Sequence, residues 1–353
     1  MARLYATREA VKMAASITGS ELDFLIDRHL RSTSAHIEKV LNRWFIPRTR
    51  TYEFRWPPRL FSRRYVIELP DDLLAVTTLK TKAQNSTPTT IASSDFFLEP
   101  QWGPPYDRIE IDLSSTASFE AGDTPQRSIS VLGRWGFGEE TESAGTVRDG
   151  SGINTSVTTL VCSDGSAIDV GDTLLIGSES IEVTQKKSAA EENADLLDGA
   201  LTADMSNTTV TVDSGSRYNE GETILVESEK MFIHSISGNN LTVTRAYDGS
   251  VLAAHNNNTA VHVFRTLTIK RSANGTTAAT HAQTTAISRY QPQPDVVRLC
   301  VADVIASVRQ DRAAWGESIG AGEGSQEFEA RGLGELWRQI KGEYRNVLVG
   351  AVV

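Results

Sequence analysis

Two stretches of this chain are near copies of one another. TLVCSDGSAIDVGDTLLIGSESIEV starts at Thr159 and TVTVDSGSRYNEGETILVESEKMFI at Thr209, an offset of 50 residues. Gly165 and Gly171 align with Gly215 and Gly221, Thr173 and Ile176 with Thr223 and Val226, and Ser178-Glu179 with Ser228-Glu229. Self-similarity at such a period marks one supersecondary unit used twice. Each copy reads as a β-hairpin: a glycine, four or five β-branched or leucine positions, a short turn, and a return strand. The same offset sets Asp198-Gly199 on Asp248-Gly249 and Asn207 on Asn257, which predicts a full 50-residue unit, with copies at about 159–208 and 209–264. The first copy is degenerate around Lys186, Lys187, Glu191 and Glu192, so its last edge is expected to be looser.

The flanks follow other periods. Thr7 can cap a short helix that Gly19 closes, and Ser20 with Asp23 resembles a capping box for a second helix. That second helix carries Leu22, Ile26, Leu30, Ile37, Leu41 and Trp44 on one face until Pro47 stops it. Residues 49–56 then alternate, with Tyr52, Phe54 and Trp56 on one side, as in a half-buried strand packed against the long helix. Short strands are predicted at 65–69, 76–80, 108–113 and 129–135. Near the C-terminus, Pro294 and Asp295 open a helix with a stripe of Val297, Val301, Val304 and Val308. Leu333, Leu336, Trp337, Ile340, Tyr344 and Leu348 define a last one. The expected fold is α+β. Residues 1–58 and 290–353 form a helical domain from both chain ends, 59–138 a small β region, and 139–289 an inserted all-β domain carrying the two repeats.

Charge is divided unevenly. The net charge is −10, which argues against a general nucleic-acid binder. Residues 151–264 hold five Lys or Arg against sixteen Asp or Glu, a net of −11, so this one segment carries the whole excess. Between residues 43 and 64, by contrast, stand seven arginines (Arg43, Arg48, Arg50, Arg55, Arg59, Arg63, Arg64) and a single acid, Glu53. Such a strip suits a solvated strand edge protected by charge. No apolar run near either end approaches the roughly 20 residues a spanning helix needs, and the first twenty residues lack a secretory pattern, so no membrane is expected and synthesis in the cytoplasm is.

Signatures of chemistry are sparse. Gly316-Glu317-Ser318-Ile319-Gly320 fits G-x-S-x-G, but a nucleophile elbow needs a buried strand before it, and the preceding residues are helical by pattern. The six histidines show no tight ligand spacing, no Gly-Lys pair makes a phosphate loop, and Cys162 and Cys300 stand far apart. The acids of the repeats, Asp172 with Glu179 and Glu222 with Glu229, lack the D-x-D-x-D-G calcium loop and read as solvated hairpin ends. The expectation is a protein that is not an enzyme, with no cofactor and no metal.

The run LNRWFIPRTRTYEFRWP, the stretches IELPDDLLAVTTLK and FFLEPQWGPPYDRIEI, the closing ISVLGRWGF and the later PQPDVVRLCVADVIASV resemble head-to-tail connector (adaptor, or head-completion) proteins of long-tailed bacteriophages. The resemblance covers roughly residues 7–138 and 290–348. VTRAYDGSVLAAH, with GETILVESEKMFI before it, is similar to a small β repeat of phage virion proteins. What the resemblance implies is a structural virion protein of the head-tail neck, assembled in the host cytoplasm, that docks as a dodecameric ring under the portal protein. It would lengthen the DNA channel without sequence-specific binding and receive the next neck, stopper or tail-terminator protein. Leu333, Leu336, Trp337, Ile340, Tyr344, Leu348, Val352 and Val353 are then candidates for the portal or subunit interface. Arg48, Arg50, Arg55, Arg63 and Arg64 are candidates for a channel or inter-subunit strip. A different expectation from the same residues is a β-repeat adhesin or carbohydrate-binding tail protein, which would need an exposed aromatic platform; residues 151–264 offer only Tyr218, Phe232, Tyr247 and Phe264.

Overall fold

A computed structural model describes residues 3–57, 63–312 and 325–346, with only the backbone described at 190–194 and 325–331. Two helices, α1 (Arg8–Ala14) and α2 (Asp23–Leu41), lead into the strands β1 (Arg48–Phe54), β2 (Val66–Thr81), β3 (Thr89–Ile91), β4 (Phe96–Glu99), β5 (Tyr106–Ile111) and β6 (Ile129–Trp135). These make a six-stranded antiparallel sheet of order β1-β6-β2-β5-β4, with β3 beside β2. The two short strands predicted at 65–69 and 76–80 are one bent strand, whose register against β5 slips between Glu68 and Leu73, around Pro70. Proline cannot donate to the ladder, so a bulge is where it can stay. The aromatics of residues 52–56 pack in the core of this sheet and not on the long helix: Tyr52 of β1 meets Trp135 at 4.6 Å, and Trp56, just past β1, meets Phe119 at 5.0 Å.

The chain continues through β7 (Thr141–Thr146), β8 (Thr159–Val161), β9 (Thr173–Ile176), β10 (Glu179–Leu196), β11 (Thr209–Thr211), β12 (Thr223–Val226), β13 (Glu229–Ser237), β14 (Asn240–Thr244), β15 (Ala260–Ala273) and β16 (Ala286–Tyr290). Together they form a ten-stranded antiparallel sheet of order β11-β14-β13-β12-β15-β10-β9-β16-β7, with β8 on β15. Helices α3 (Pro294–Arg312) and α4 (Ser325–Tyr344) follow.

The large sheet is one six-stranded module built twice, with β10 and β15 each serving both copies, and the second copy is nested in the first. In the inner module β13 pairs with β14 through Phe232↔Thr244, Ile233↔Val243, Ser235↔Thr242, Ile236↔Leu241 and Ser237↔Asn240, with a register shift after Ile233. In the outer module β10 pairs with the second half of β15 through Glu182↔Lys270, Val183↔Ile269, Gln185↔Thr268, Lys186↔Leu267 and Lys187↔Thr266, with the same shift after Val183. The offset is 50 on one strand and 26 on the other. The inner hairpin turns at Gly238 and Asn239, and at that point the outer one admits residues 188–265. This gives a physical reason for the degenerate stretch after Lys186: the outer module completes itself with 266–290, beyond the inner copy. Asp198 stands at the start of the inner module, where its N–H donates to Thr211 O as the N–H of Arg148 does to Val161 O, so its match to Asp248 is coincidental. Each module has its own apolar core, one around Leu160, Leu174, Ile181 and Ile269, the other around Val210, Ile224, Met231 and Val243.

The α+β expectation, with a helical domain built from both chain ends, is overturned. The protein is mostly β, 37% strand against 20% helix, and its two large antiparallel sheets set the architecture. The end helices exist as the periodicity indicated, but their apolar cluster is continuous with the sheets through Phe137, Leu175 of β9 and Tyr290 of β16. Thr7 caps α1, its Oγ1 accepting the Ala10 N–H, whereas α2 starts at Leu22 with no side-chain cap. On α3 the buried face is Val296, Leu299, Cys300, Val304 and Val308, rotated from the predicted stripe because Val297 and Val301 are only half-buried. No helix among the described residues is long and apolar enough to cross a membrane.

Candidate functional site

The predicted site residues do not converge on one place. On α4, Ile340 and Tyr344 are buried and Leu333, Leu336 and Trp337 half-buried, packed with α2 and α3. Tyr344 meets the Phe45 and Phe137 rings edge-on, and Trp337 donates Nε1–H to Asp303 at 3.4 Å. These side chains are therefore engaged within the chain. Leu348, Val352 and Val353 lie outside the described residues, as do Ser318 and Arg59.

The arginine strip divides into separate environments. Arg43 is bound to Asp72 at 2.7 Å. Arg55, Arg63 and Arg64 are exposed, and at a strand rise of about 3.3 Å per residue Arg55 stands roughly 23 Å from Arg48. Only Arg48 and Arg50 come together. They sit on β1, the outer strand of the smaller sheet, and line a cleft of about 290 Å³ with Arg3, Lys270 and Asn274. The cleft lies where the N-terminal segment and both sheets meet. It is fixed there by two bonds from the turn after β15: the Thr49 N–H donates to Asn274 O at 2.8 Å, and Arg3 Nε donates to Asn274 Oδ1 at 2.9 Å. That turn is the outer counterpart of one in the inner module, and both use the left-handed region at the same three places: Ser272, Asn274 and Gly275 (φ 56, 55, 78) and Ala246, Asp248 and Gly249 (φ 51, 52, 74). The inner turn docks elsewhere, its Asp248 bound by Lys12 of α1 and by Lys230.

Arg48 is the unusual member of the cleft. Its guanidinium lies over the Trp44 ring, and its Nε and Nη2 are buried without a hydrogen-bond partner. Burial, and then the charge of Arg3, pull its pKa down to about 10. Arg3 by contrast reaches Glu38 at 2.7 Å, and Lys270 lies 3.7 Å from Glu182.

The acids singled out in the repeats are not solvated hairpin ends. Glu179, Glu222 and Glu229 are at most 1% exposed and Asp172 9%. Glu229 accepts from Arg245 Nε and Nη2 at 2.7 and 2.8 Å, from the N–H groups of Ala246 and Ala253, and faces His255 Nε2 at 2.9 Å. Glu179 accepts from Arg271 Nε and Nη2 at 2.8 and 2.6 Å, from the N–H groups of Ser272 and Ala279, and faces His281 Nε2 at 2.9 Å. Burial alone would push both carboxyls up, but these hydrogen bonds override it and hold each at about 2. The pattern R-x3-G-x3-A-x-H, at Arg245 to His255 and again at Arg271 to His281, is the sequence signal that could have located both clusters. Glu222 is gripped by Arg265 at 2.6 and 2.8 Å and also accepts the Gly165 N–H of the outer module at 2.7 Å, a tie between the two modules.

A second acidic group lies where α1 meets the outer module. Glu9 accepts the Val170 N–H at 3.1 Å; burial, then the nearby Asp169, lift its carboxyl to about 7. Burial likewise lifts Asp172 to about 7 despite Arg289 beside it. Burial pushes the thiols of Cys162 and Cys300 up to about 12, so neither is a ready nucleophile. Among the described residues no group of three or more His, Cys, Asp or Glu side chains could hold a metal ion. Compared with known proteins, the chain matches no family model, no curated protein and no solved structure.

Proposed function

We propose that this chain is a structural assembly protein, a head-to-tail connector that joins the portal vertex of a phage head to the neck and tail as a ring of identical copies. The observation that carries this reading is polarity of charge. Arg48 and Arg50 gather on the outer strand of one sheet, whereas the segment 151–264, most of it in the nested modules, carries −11. A ring of identical subunits needs two different, complementary surfaces on each copy, and a cationic edge beside an acidic body supplies them. The internal use of Glu179 and Glu229 agrees with a role without turnover, since carboxylates held by arginine and backbone N–H groups well below the usual range are poor acids or bases at neutral pH. In this reading the portal protein and the next neck component are the partners. The partly exposed side of α4 faces the portal, and the acidic modules point away from the DNA, which a negative surface would repel.

The test is electron microscopy of the full chain mixed with its cognate portal. A capped ring is the expected result; portals that stay bare at micromolar concentrations of both would sink the reading. The adhesin alternative gains little from the nested modules: Tyr218 is buried, Phe232 packs on Tyr247 and His234, and of the four rings only Tyr247 is exposed.

A further inference from the structure

Large apolar side chains are left bare at two separate places. One is the β4–β5 hairpin, where Trp102 in the connecting turn is 87% exposed and Phe97, on the edge strand β4, 54%. The other is the outer side of the N-terminal helices, where Met13 and Phe24 are 82% and 80% exposed. These two flank one ion pair, since Met13 follows Lys12, Phe24 follows Asp23, and Lys12 Nζ lies 3.0 Å from Asp23 Oδ1. Single exposed apolar residues are ordinary, but a tryptophan and a phenylalanine bared on one hairpin have the make-up of an interface anchor.

The two places carry opposite charge. Phe97, Glu99, Arg108 and Glu110 lie on one face of the hairpin, because Phe97 pairs with Glu110 and Glu99 with Arg108. Arg108 is shared by Glu110, Asp107 and Glu99 at 2.8, 3.3 and 3.8 Å, and Glu68 stands opposite it on β2, so acids surround a lone base. Arg63 and Arg64 lie at the far end of β5 from the turn, next to Tyr65, whose O accepts the Ile111 N–H at 2.8 Å. On α2, by contrast, Phe24, Arg28, Arg31, Ala35 and Lys39 follow at steps of three or four and are all exposed, a stripe opposite the buried Ile26, Leu30, Thr33 and Ile37. Arg31 and Lys39 make no ion pair among the described residues, and Arg28, bound to Asp311, keeps more than half of its side chain exposed. The acids of the helix are engaged within the chain, Asp23 and Asp27 by Arg8 and Glu38 by Arg3; Glu21 stands one turn ahead of the stripe.

We propose that the β4–β5 hairpin of one copy docks on the outer face of α2 of the next, with Trp102 as the anchor. Phe24 and Met13 give the indole an apolar seat, the Arg28 guanidinium can lie on its face, and Arg31 with Lys39 meets the acids gathered around Arg108. Both patches are bare within one chain, so each copy offers one hairpin and one helix face. Unlike surfaces paired in this way close into a ring or run on as a filament. The inference rests on the reading of the chain as a ring-former and supplies one contact of that ring. A hairpin tip on one helix face covers less than the roughly 1,200 Å² of a stable complex, so a single contact is weak and populated only at high concentration or when copies are held side by side.

The test is cross-linking of the full chain carrying Gln101→Cys beside Trp102 and Ala35→Cys on the stripe, with a short bismaleimide; Cys162 and Cys300 are buried and stay silent. Every altered position is exposed, so the fold is not at stake. At about 100 µM the double variant should give a ladder running past the dimer. An equal mixture of the two single variants, one of them tagged, should give hairpin-to-helix heterodimers well beyond their statistical share. Trp102→Ala, and separately Arg31→Glu with Lys39→Glu, should each lower the yield at least about tenfold, and added salt should lower it too. No ladder, a ladder that neither change weakens, or heterodimers at their statistical share overturns the contact. The connector reading fails separately: portals left bare while the ladder persists would sink that reading alone, and portals capped as fully by W102A as by wild type would sink this contact alone.

Discussion

Glu179 is held by Arg271, 92 residues further along the chain, in the geometry by which its counterpart Glu229 is held by Arg245 only 16 residues away. The difference is the inner module, which occupies the turn between Lys187 and Thr266, residues that face each other across the ladder.

The nesting predicts that the outer module can close without its guest. Ala189 and Val263 are directly opposed, so replacing residues 190–262 by Asn-Gly leaves two strand ends that a two-residue turn can join. The shortened chain should fold cooperatively with strand-rich circular dichroism, losing the bonds of Glu222 to Gly165 and Arg265 and the Asp248–Lys12 contact. Loss of the cooperative transition would show instead that the two modules fold only as a pair.

Removing the arginine of either cluster should be severe. Arg245→Met leaves Glu229 buried with its strongest partner gone, a loss of roughly 3–5 kcal/mol by urea unfolding. The paired change Glu229→Met with Arg245→Leu should recover much of that, since a buried ion pair replaced by apolar side chains is often near neutral. A single variant no worse than the pair would mean that desolvation of Glu229 is not the dominant effect.

Stability should have opposite slopes on the two sides of mild acidity. Glu9 and Asp172, both lifted to about 7, bind protons more readily folded than unfolded. Their contribution is complete below their unfolded range near about pH 4 and is lost as pH rises through 7. Glu179 and Glu229, held at about 2, act the other way, contributing above about pH 4.5 and failing as pH falls toward 2. Urea midpoints between pH 3 and 8 should therefore peak near about pH 5. Glu9→Gln should flatten the limb from pH 5 to 8, and an unaltered slope there would refute the part assigned to Glu9.

The two thiols should be silent in the native protein. Cys162 and Cys300 are fully buried, so a disulfide reagent at pH 8 should modify neither until denaturant is added, when both react. Rapid native labelling of either would place it in a segment that opens readily.

Local periodicity made the helices and the repeated hairpin legible. What it could not reveal was which strands close which module, because the partner of β10 lies beyond an entire second copy, and strand pairing over such a separation leaves no periodic trace in a single sequence. The same cause hid the clusters: Glu179 looks like a solvated turn acid until Arg271 is brought to it. The arginine strip was visible as composition, but its division into a paired Arg43, an unmatched Arg48 and exposed Arg55, Arg63 and Arg64 depends on where β1 sits in its sheet. The balance of architecture was misjudged for a related reason. Helical faces announce themselves at 3.6 residues, whereas β3 and β8 have three residues each and declare themselves only by the neighbours they find.

The Gly238-Asn239 turn of the inner module is exposed and occupies the place at which the outer hairpin has already accepted a guest. The architecture is thus recursive. A third copy grafted there would emerge and return through adjoining strand ends, lengthening the arm by one storey while the outer module's contact with Thr49 and the inner module's with Lys12 are left untouched.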